Sequence, residues 1–112
     1  MAFECVMAED ELWEGEMLTS RVGGKRILLL REQGIVYAYE DRCPHQAVAL
    51  SAGRYERGRI TCSAHSWVFA AAGGESINPK GACLNPFAVK IEGGEILVDV
   101  DQAPVGMRSV KP

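Results

Sequence analysis

Two short stretches decide how this chain is read: Cys43-Pro44-His45 and Cys62-Ser63-Ala64-His65. Each pairs one thiol with one imidazole, and 16 residues, Gln46 to Thr61, separate them. The chain has 2 histidines, and both fall inside these pairs. A lone Cys or His is usually a satisfied core residue. Four ligand-type side chains in two matched pairs call for a metal centre instead. Two cysteines can hold one iron of a [2Fe–2S] unit while two histidines hold the other. The rival is a structural zinc with two Cys and two His. Zinc sites usually space their cysteines two to four residues apart in one knuckle, whereas here each half carries one. Pro44 fixes a backbone angle between Cys43 and His45 and so preorganises the first loop.

Outward from these pairs the chain reads as short strands punctuated by glycine. Phe3 to Met7 suits an edge strand and Ala8 to Trp13 a single helical turn. Glu16 to Val22 is a strand, Gly23-Gly24 a two-residue hairpin turn, and Lys25 to Arg31 a strand with an apolar centre fit for burial on both faces. Gln33-Gly34 turns again and Ile35 to Glu40 leads into Cys43. Further on, Phe87, Val89 and Ile91 alternate with Ala88, Lys90 and Glu92. Gly93-Gly94 turns, and Ile96, Val98 and Val100 alternate in their turn, a half-buried hairpin. The expected architecture is an all-β base, residues 1–40 and 77–101, into which a small unit, 41–76, is inserted. That unit holds all four candidate ligands, and 102–112 form a loose tail.

At 112 residues the chain is expected to form one domain, with no room for a separate catalytic domain. Its longest apolar run, Ile27-Leu28-Leu29-Leu30, is far too short to span a membrane. The start, Met1-Ala2-Phe3-Glu4, has no basic n-region or apolar h-region, so no signal peptide is expected and the cytoplasm is the expected compartment. In that setting Cys5 and Cys83, not needed as ligands, are expected to be reduced and partly buried. A net charge of −3 argues against nucleic acid as partner. The first twenty residues hold six acids, Glu4, Glu9, Asp10, Glu11, Glu14 and Glu16, and no base. Arg54, Arg57 and Arg59 gather between the ligand pairs, either as solvated surface or as a steering charge for a partner. Trp13 is expected to plug the core. No G-x-G-x-x-G segment for a dinucleotide occurs.

The ligand pattern C-x-H, loop, C-x-x-H resembles the Rieske ferredoxin family, in particular the ferredoxin components of toluene monooxygenase-type four-component diiron systems. The resemblance runs from about residue 1 to 100 and extends beyond the ligands. It includes Glu11 to Met17, Cys43-Pro44-His45-Gln46, Leu50-Ser51, Gly53, Tyr55-Glu56, Ile60-Thr61-Cys62, Ala64-His65, Trp67, Phe69, Ile77-Asn78-Pro79 and Cys83-Leu84. It implies the Rieske fold, an antiparallel β-sandwich base with an inserted cluster-binding subdomain. It implies one [2Fe–2S] cluster held by Cys43, His45, Cys62 and His65, and no catalytic residue.

The same resemblance implies a monomeric electron carrier, not an enzyme. It would take single electrons from an NADH-dependent flavin reductase and deliver them to a diiron aromatic or alkene hydroxylase, docking near His45 and His65. The alternative is the ferredoxin of a Rieske ring-hydroxylating dioxygenase, and a zinc-stabilised interaction module is a remote third. Trp67 would pack under the cluster. Residues 81 to 86 would form a third loop shielding the cluster, with Cys83 in it but not ligating.

Charge explains the histidines. Two ferric ions, two sulfides and two thiolates are neutral together, whereas four thiolates would leave a dianion, so the histidine-ligated cluster is easier to reduce. Within the family, high-potential members carry a disulfide across the cluster loops and hydroxyls against the sulfurs. The matching positions here are Val48 with Ala64, and Trp67 with Phe69, which supply neither. A potential toward the low end of the Rieske range of about −150 to +300 mV follows.

Overall fold

A computed structural model describes residues 3–43, 48–63, 67–78 and 82–100. Ten strands carry the fold. They are β1 (Glu4–Ala8), β2 (Met17–Val22), β3 (Lys25–Glu32), β4 (Ile35–Glu40), β5 (Arg54–Glu56), β6 (Arg59–Thr61), β7 (Val68–Ala70), β8 (Ser76–Asn78), β9 (Pro86–Glu92) and β10 (Glu95–Asp99). Single 3₁₀ turns lie at Glu9–Glu11 and Leu50–Ala52. Among the described residues no helix is long and apolar enough to cross a membrane.

Six strands form one antiparallel sheet in the order β1-β10-β9-β4-β3-β2, and four form a second in the order β5-β6-β7-β8. β1 and β2 are opposite edges of the large sheet, yet their Cα atoms come within 8 Å of each other. The sheet therefore folds over on itself, as the expected two-layer base requires. The tight turns fix its register. Gly23-Gly24, Gln33-Gly34 and Gly93-Gly94 all have positive φ at both positions. That is the geometry whose twist matches paired strands.

β3 divides the interior. Ile27, Leu28, Leu29 and Leu30 are all fully buried. Because side chains alternate across a strand, Ile27 and Leu29 join one core with Leu12, Val22, Phe87, Ile96 and Val98. Leu28 and Leu30 join the other, with Tyr39, Cys43, Leu50, Ile60, Cys62, Phe69 and Leu84. The second core welds the insert to the base, and both candidate cysteine ligands belong to it.

Polar contacts reinforce that weld. Tyr39 Oη donates to the Ala71 carbonyl at 2.6 Å and accepts from Gly73 N–H at 2.9 Å. Tyr55 Oη, on β5, lies 2.5 Å from Glu32 Oε1 and 2.8 Å from the Arg31 carbonyl oxygen. Burial pushes both phenols well above the usual tyrosine range, and for Tyr55 the neighbouring Glu32 adds to the effect.

Four expectations need correction. Trp13 is 72% exposed and does not plug the core, and Leu12, beside it, takes the buried position. The indole is held outward because its Nε1–H donates to the Asp10 carbonyl and its backbone N–H to Glu16 Oε1. Cys5 is exposed, not partly buried, because it lies on edge strand β1. Ile91 is exposed at 42% although the alternation puts it on the buried face. β4 pairs with β9 only at Ala38–Phe87 and Tyr39–Pro86, so the far half of β9 overhangs the sheet on that side. The boundary expected at 76/77 falls inside β8, which pairs with β7 through Asn78, and the base resumes at Pro86.

Candidate cluster site

Cys43 follows the end of β4 and Cys62 the end of β6. Their side chains are 0% and 1% exposed, and both lie in the second core. Each cysteine opens a loop closed in the same way. Cys43 N–H donates to the Val48 carbonyl at 2.8 Å and Cys62 N–H to the Trp67 carbonyl at 2.7 Å. In both loops the acceptor is the fifth residue on, so the two halves of the motif are built as matching brackets. His45 falls within the first and His65 within the second, and both histidines lie outside the described residues. None of the four cysteines forms a disulfide. Among the described residues no group of three His, Cys, Asp or Glu side chains converges.

The donor set suits the cluster. Two buried thiols on matching loops in one apolar core are what the all-cysteine iron requires. Burial among apolar groups limits solvent access, which tunes the potential of such a site. Trp67 and Phe69 pack in this region with ring centroids 6.4 Å apart and planes tilted by 39°. Cys83 pairs through its backbone with Glu75 in an isolated bridge and is half-buried. That fits a loop beside the insert.

The structure adds residues whose roles the sequence does not reveal. Asp41, two positions before Cys43, has a carboxylate with no solvent exposure. It accepts from Ser51 N–H at 2.9 Å and from Ser51 Oγ–H at 2.7 Å, and an Arg26 guanidinium nitrogen lies 3.5 Å away. Asp41 thus ties the strand leading into Cys43 to the Leu50–Ala52 turn. Nothing in the local pattern distinguishes it from a surface acid. We expect Asp41→Ala to destabilise the protein by about 1–3 kcal/mol, because the Ser51 donors lose their partner. Thermal unfolding of the holoprotein measures this. A melting point equal to the wild type would remove Asp41 from the loop-holding role.

Arg54 lies opposite Thr61 in the β5–β6 pair and lines a depression with Gly53, Thr61, Cys62 and Ser63. Arg57 sits at the tip of that hairpin with φ of 54°, and its neighbour Gly58 faces the Glu32 carboxylate. The tip is therefore at the opposite end of β6 from Cys62. The three arginines of this segment are not equivalent in position.

Paired cysteine loops on a two-sheet all-β fold suit an iron–sulfur domain. A family model described as Rieske [2Fe-2S] domain matches residues 2–90, and the chain belongs to this family. The protein accordingly carries one Rieske-type [2Fe–2S] cluster and is an electron-transfer component, not a catalyst.

Its sequence is 43% identical over 100 residues to the ferredoxin component of an alkene monooxygenase system from Xanthobacter autotrophicus, covering 88% of this chain and 82% of that one. It is 33% identical over 102 residues to the ferredoxin component of biphenyl 2,3-dioxygenase from Rhodococcus jostii, covering 90% and 95%. Among solved structures, the ferredoxin of carbazole 1,9a-dioxygenase from Nocardioides aromaticivorans superposes with a TM-score of 0.78 at 26% identity, covering 93% of this chain and 99% of that one. A chain from the complex of reduced oxygenase and oxidised ferredoxin in carbazole 1,9a-dioxygenase matches with a TM-score of 0.78 at 28% identity, covering 88% and 93%.

Proposed function

We propose that this protein carries single electrons from an NADH-dependent flavin reductase to the diiron hydroxylase of an aromatic or alkene monooxygenase. The cluster would be held by Cys43, His45, Cys62 and His65. The observation that carries the reading is the 43% identity, over most of both chains, with the ferredoxin component of an alkene monooxygenase system. Identity to the dioxygenase ferredoxin is lower, at 33%. When bound, the cluster supplies a one-electron couple. The chain's own residues bury the Cys43 and Cys62 thiols and close their two loops alike, and the imidazole side would be the exit for the electron. Docking near His45 and His65 follows, and the complex of a related oxygenase with its ferredoxin is a precedent for such transient docking.

Reconstitution tests this. The purified reductase, this ferredoxin and the diiron hydroxylase from the same host should turn over substrate with NADH, and omission of the ferredoxin should abolish turnover. Turnover only with a Rieske-type ring-hydroxylating oxygenase would transfer the protein to the dioxygenase class.

The potential should lie in the lower part of the range of about −150 to +300 mV. Phe69 is fully buried in the core that holds Cys43 and Cys62. Phe69→Tyr adds one hydroxyl there with little change in shape. It is expected to raise the potential by tens of millivolts, given that about 59 mV is tenfold for one electron. Spectroelectrochemical titration measures both proteins. A wild-type value well above zero would contradict the low-potential assignment.

A further inference from the structure

The charges of this protein are sorted along β3. At one end, Glu9 sits beside Arg31, and Glu14 accepts from the backbone N–H groups of Gln33 and Gly34. These acids meet partners inside the molecule. At the other end, Arg21, Lys25, Arg26 and Arg42 line one depression together with Glu40 and Asp41. Arg26 and Arg31 are five positions apart on β3, about 17 Å of strand. The basic end is also the Cys43 end, since Arg42 precedes that cysteine and Asp41 N–H bonds the Arg26 carbonyl.

At the basic end four cations face two acids among the described residues. Asp41 is enclosed and held by Ser51, and it reaches only Arg26. Among the described residues Arg21, Lys25 and Arg42 join no ion pair, and Lys25 only overlies the Phe87 ring at 5.9 Å. Arg21 stands directly opposite Arg26 in the β2–β3 ladder. Like charges placed so are unfavourable to the fold. An arrangement that weakens the sheet and concentrates exposed cations beside a cluster loop favours an external anion.

We propose that this patch is a recognition surface for an acidic face on the hydroxylase that accepts the electron, as the complex of a similar ferredoxin with its oxygenase suggests. The proposal rests on the electron-carrier reading above and specifies the partner's chemistry. A net charge of −3 makes the molecule as a whole repel an acidic protein. Approach to the Arg21–Arg42 end is attractive, so the field both speeds encounter and turns the Cys43 loop toward the partner.

The test is transient electron transfer from the reduced holoprotein to the diiron hydroxylase, and from the flavin reductase to the oxidised holoprotein, each at two ionic strengths. The variant is Arg21→Glu/Lys25→Glu. It should fold, because both sites are exposed and the new carboxylate at position 21 faces Arg26. The association rate with the hydroxylase should fall about tenfold at low salt, and its salt dependence should shrink or reverse. The reduction potential should be unchanged. Asp10→Lys/Glu11→Lys, at the other end, should cause no such loss.

An unchanged rate and salt slope with the hydroxylase, or a loss confined to the reductase, overturns the patch. So does calorimetric binding of inorganic phosphate that the variant abolishes while transfer rates stay intact, which would make it a small-anion site. If the wild type accepts electrons from the reductase but passes none to the hydroxylase, the hydroxylase assignment fails, and the patch is then decided by the same rates with a Rieske-type ring-hydroxylating oxygenase that does accept them.

Discussion

Cys43→Ala, His45→Ala, Cys62→Ala and His65→Ala are each expected to lose the cluster, with iron and acid-labile sulfide falling from two of each per chain toward zero. Cys5→Ala and Cys83→Ala are expected to retain both in full. The contrast rests on position. Cys43 and Cys62 are buried in one core and head two loops closed by equivalent hydrogen bonds. Cys5 is exposed on an edge strand, and Cys83 sits in a bridge with Glu75. Removing either loop thiolate leaves one iron with a single protein ligand. Removing either imidazole would do the same for the other iron, while the iron held by the two thiolates keeps both of its protein ligands. The histidine variants should therefore be the ones that trap some brown, non-native species, readable by electron paramagnetic resonance. Full iron and a native spectrum in His45→Ala would remove that residue from the ligand set. Loss of iron in Cys83→Ala would add one to it.

The base was legible in the sequence because its strands alternate and its turns are built on glycine. Gly23-Gly24, Gln33-Gly34 and Gly93-Gly94 mark three hairpins whose turn residues can be named from composition and spacing. The continuous run Ile27 to Leu30 announced a strand covered on both faces, and it separates two cores. The insert was less legible. Its strands are three residues long, too short to show a period, and the turn at Arg57-Gly58 puts a non-glycine residue at positive φ. Trp13 misled because an aromatic among acids says nothing about which way a hydrogen-bonded turn will face it. Asp41 acquires its role only when folding brings Ser51, ten residues on, to its carboxylate. The Cys–His spacing suggests ligand chemistry by itself, but the matching of the two cysteine loops could not be read from it. That depends on Val48 and Trp67, whose side chains are irrelevant to the carbonyls they supply.

Gly53→Ala is expected to be the most damaging substitution outside the ligands. Gly53 ends the Leu50–Ala52 turn, and its N–H donates to the Leu50 carbonyl at 2.9 Å. A Cβ there would lie 1.9 Å from the Thr61 carbonyl oxygen and 3.2 Å from Ser63 N. Both contacts are backbone atoms on either side of Cys62, so no rotamer change relieves them. Either the Arg54–Thr61 pairing opens or the Cys62 loop moves. Overpacking of this kind costs about 1–3 kcal/mol, and a contact this short with rigid backbone belongs at the upper end. For a domain of this size the melting point should drop by roughly 10 °C. Because the displaced segment carries Cys62, iron occupancy should fall as well. Gly24→Ala is the control. Gly24 has φ of +81°, and a Cβ there would have nothing within 4 Å. A side chain at this turn touches no part of the Cys62 loop and meets only backbone strain of about 1–2 kcal/mol. It should lower the melting point modestly and leave iron content intact. If Gly53→Ala holds a full complement of iron with an unaltered spectrum, the Gly53–Thr61 contact does not govern the geometry of the Cys62 loop. Parallel loss of iron in both variants would instead trace the effect to global stability.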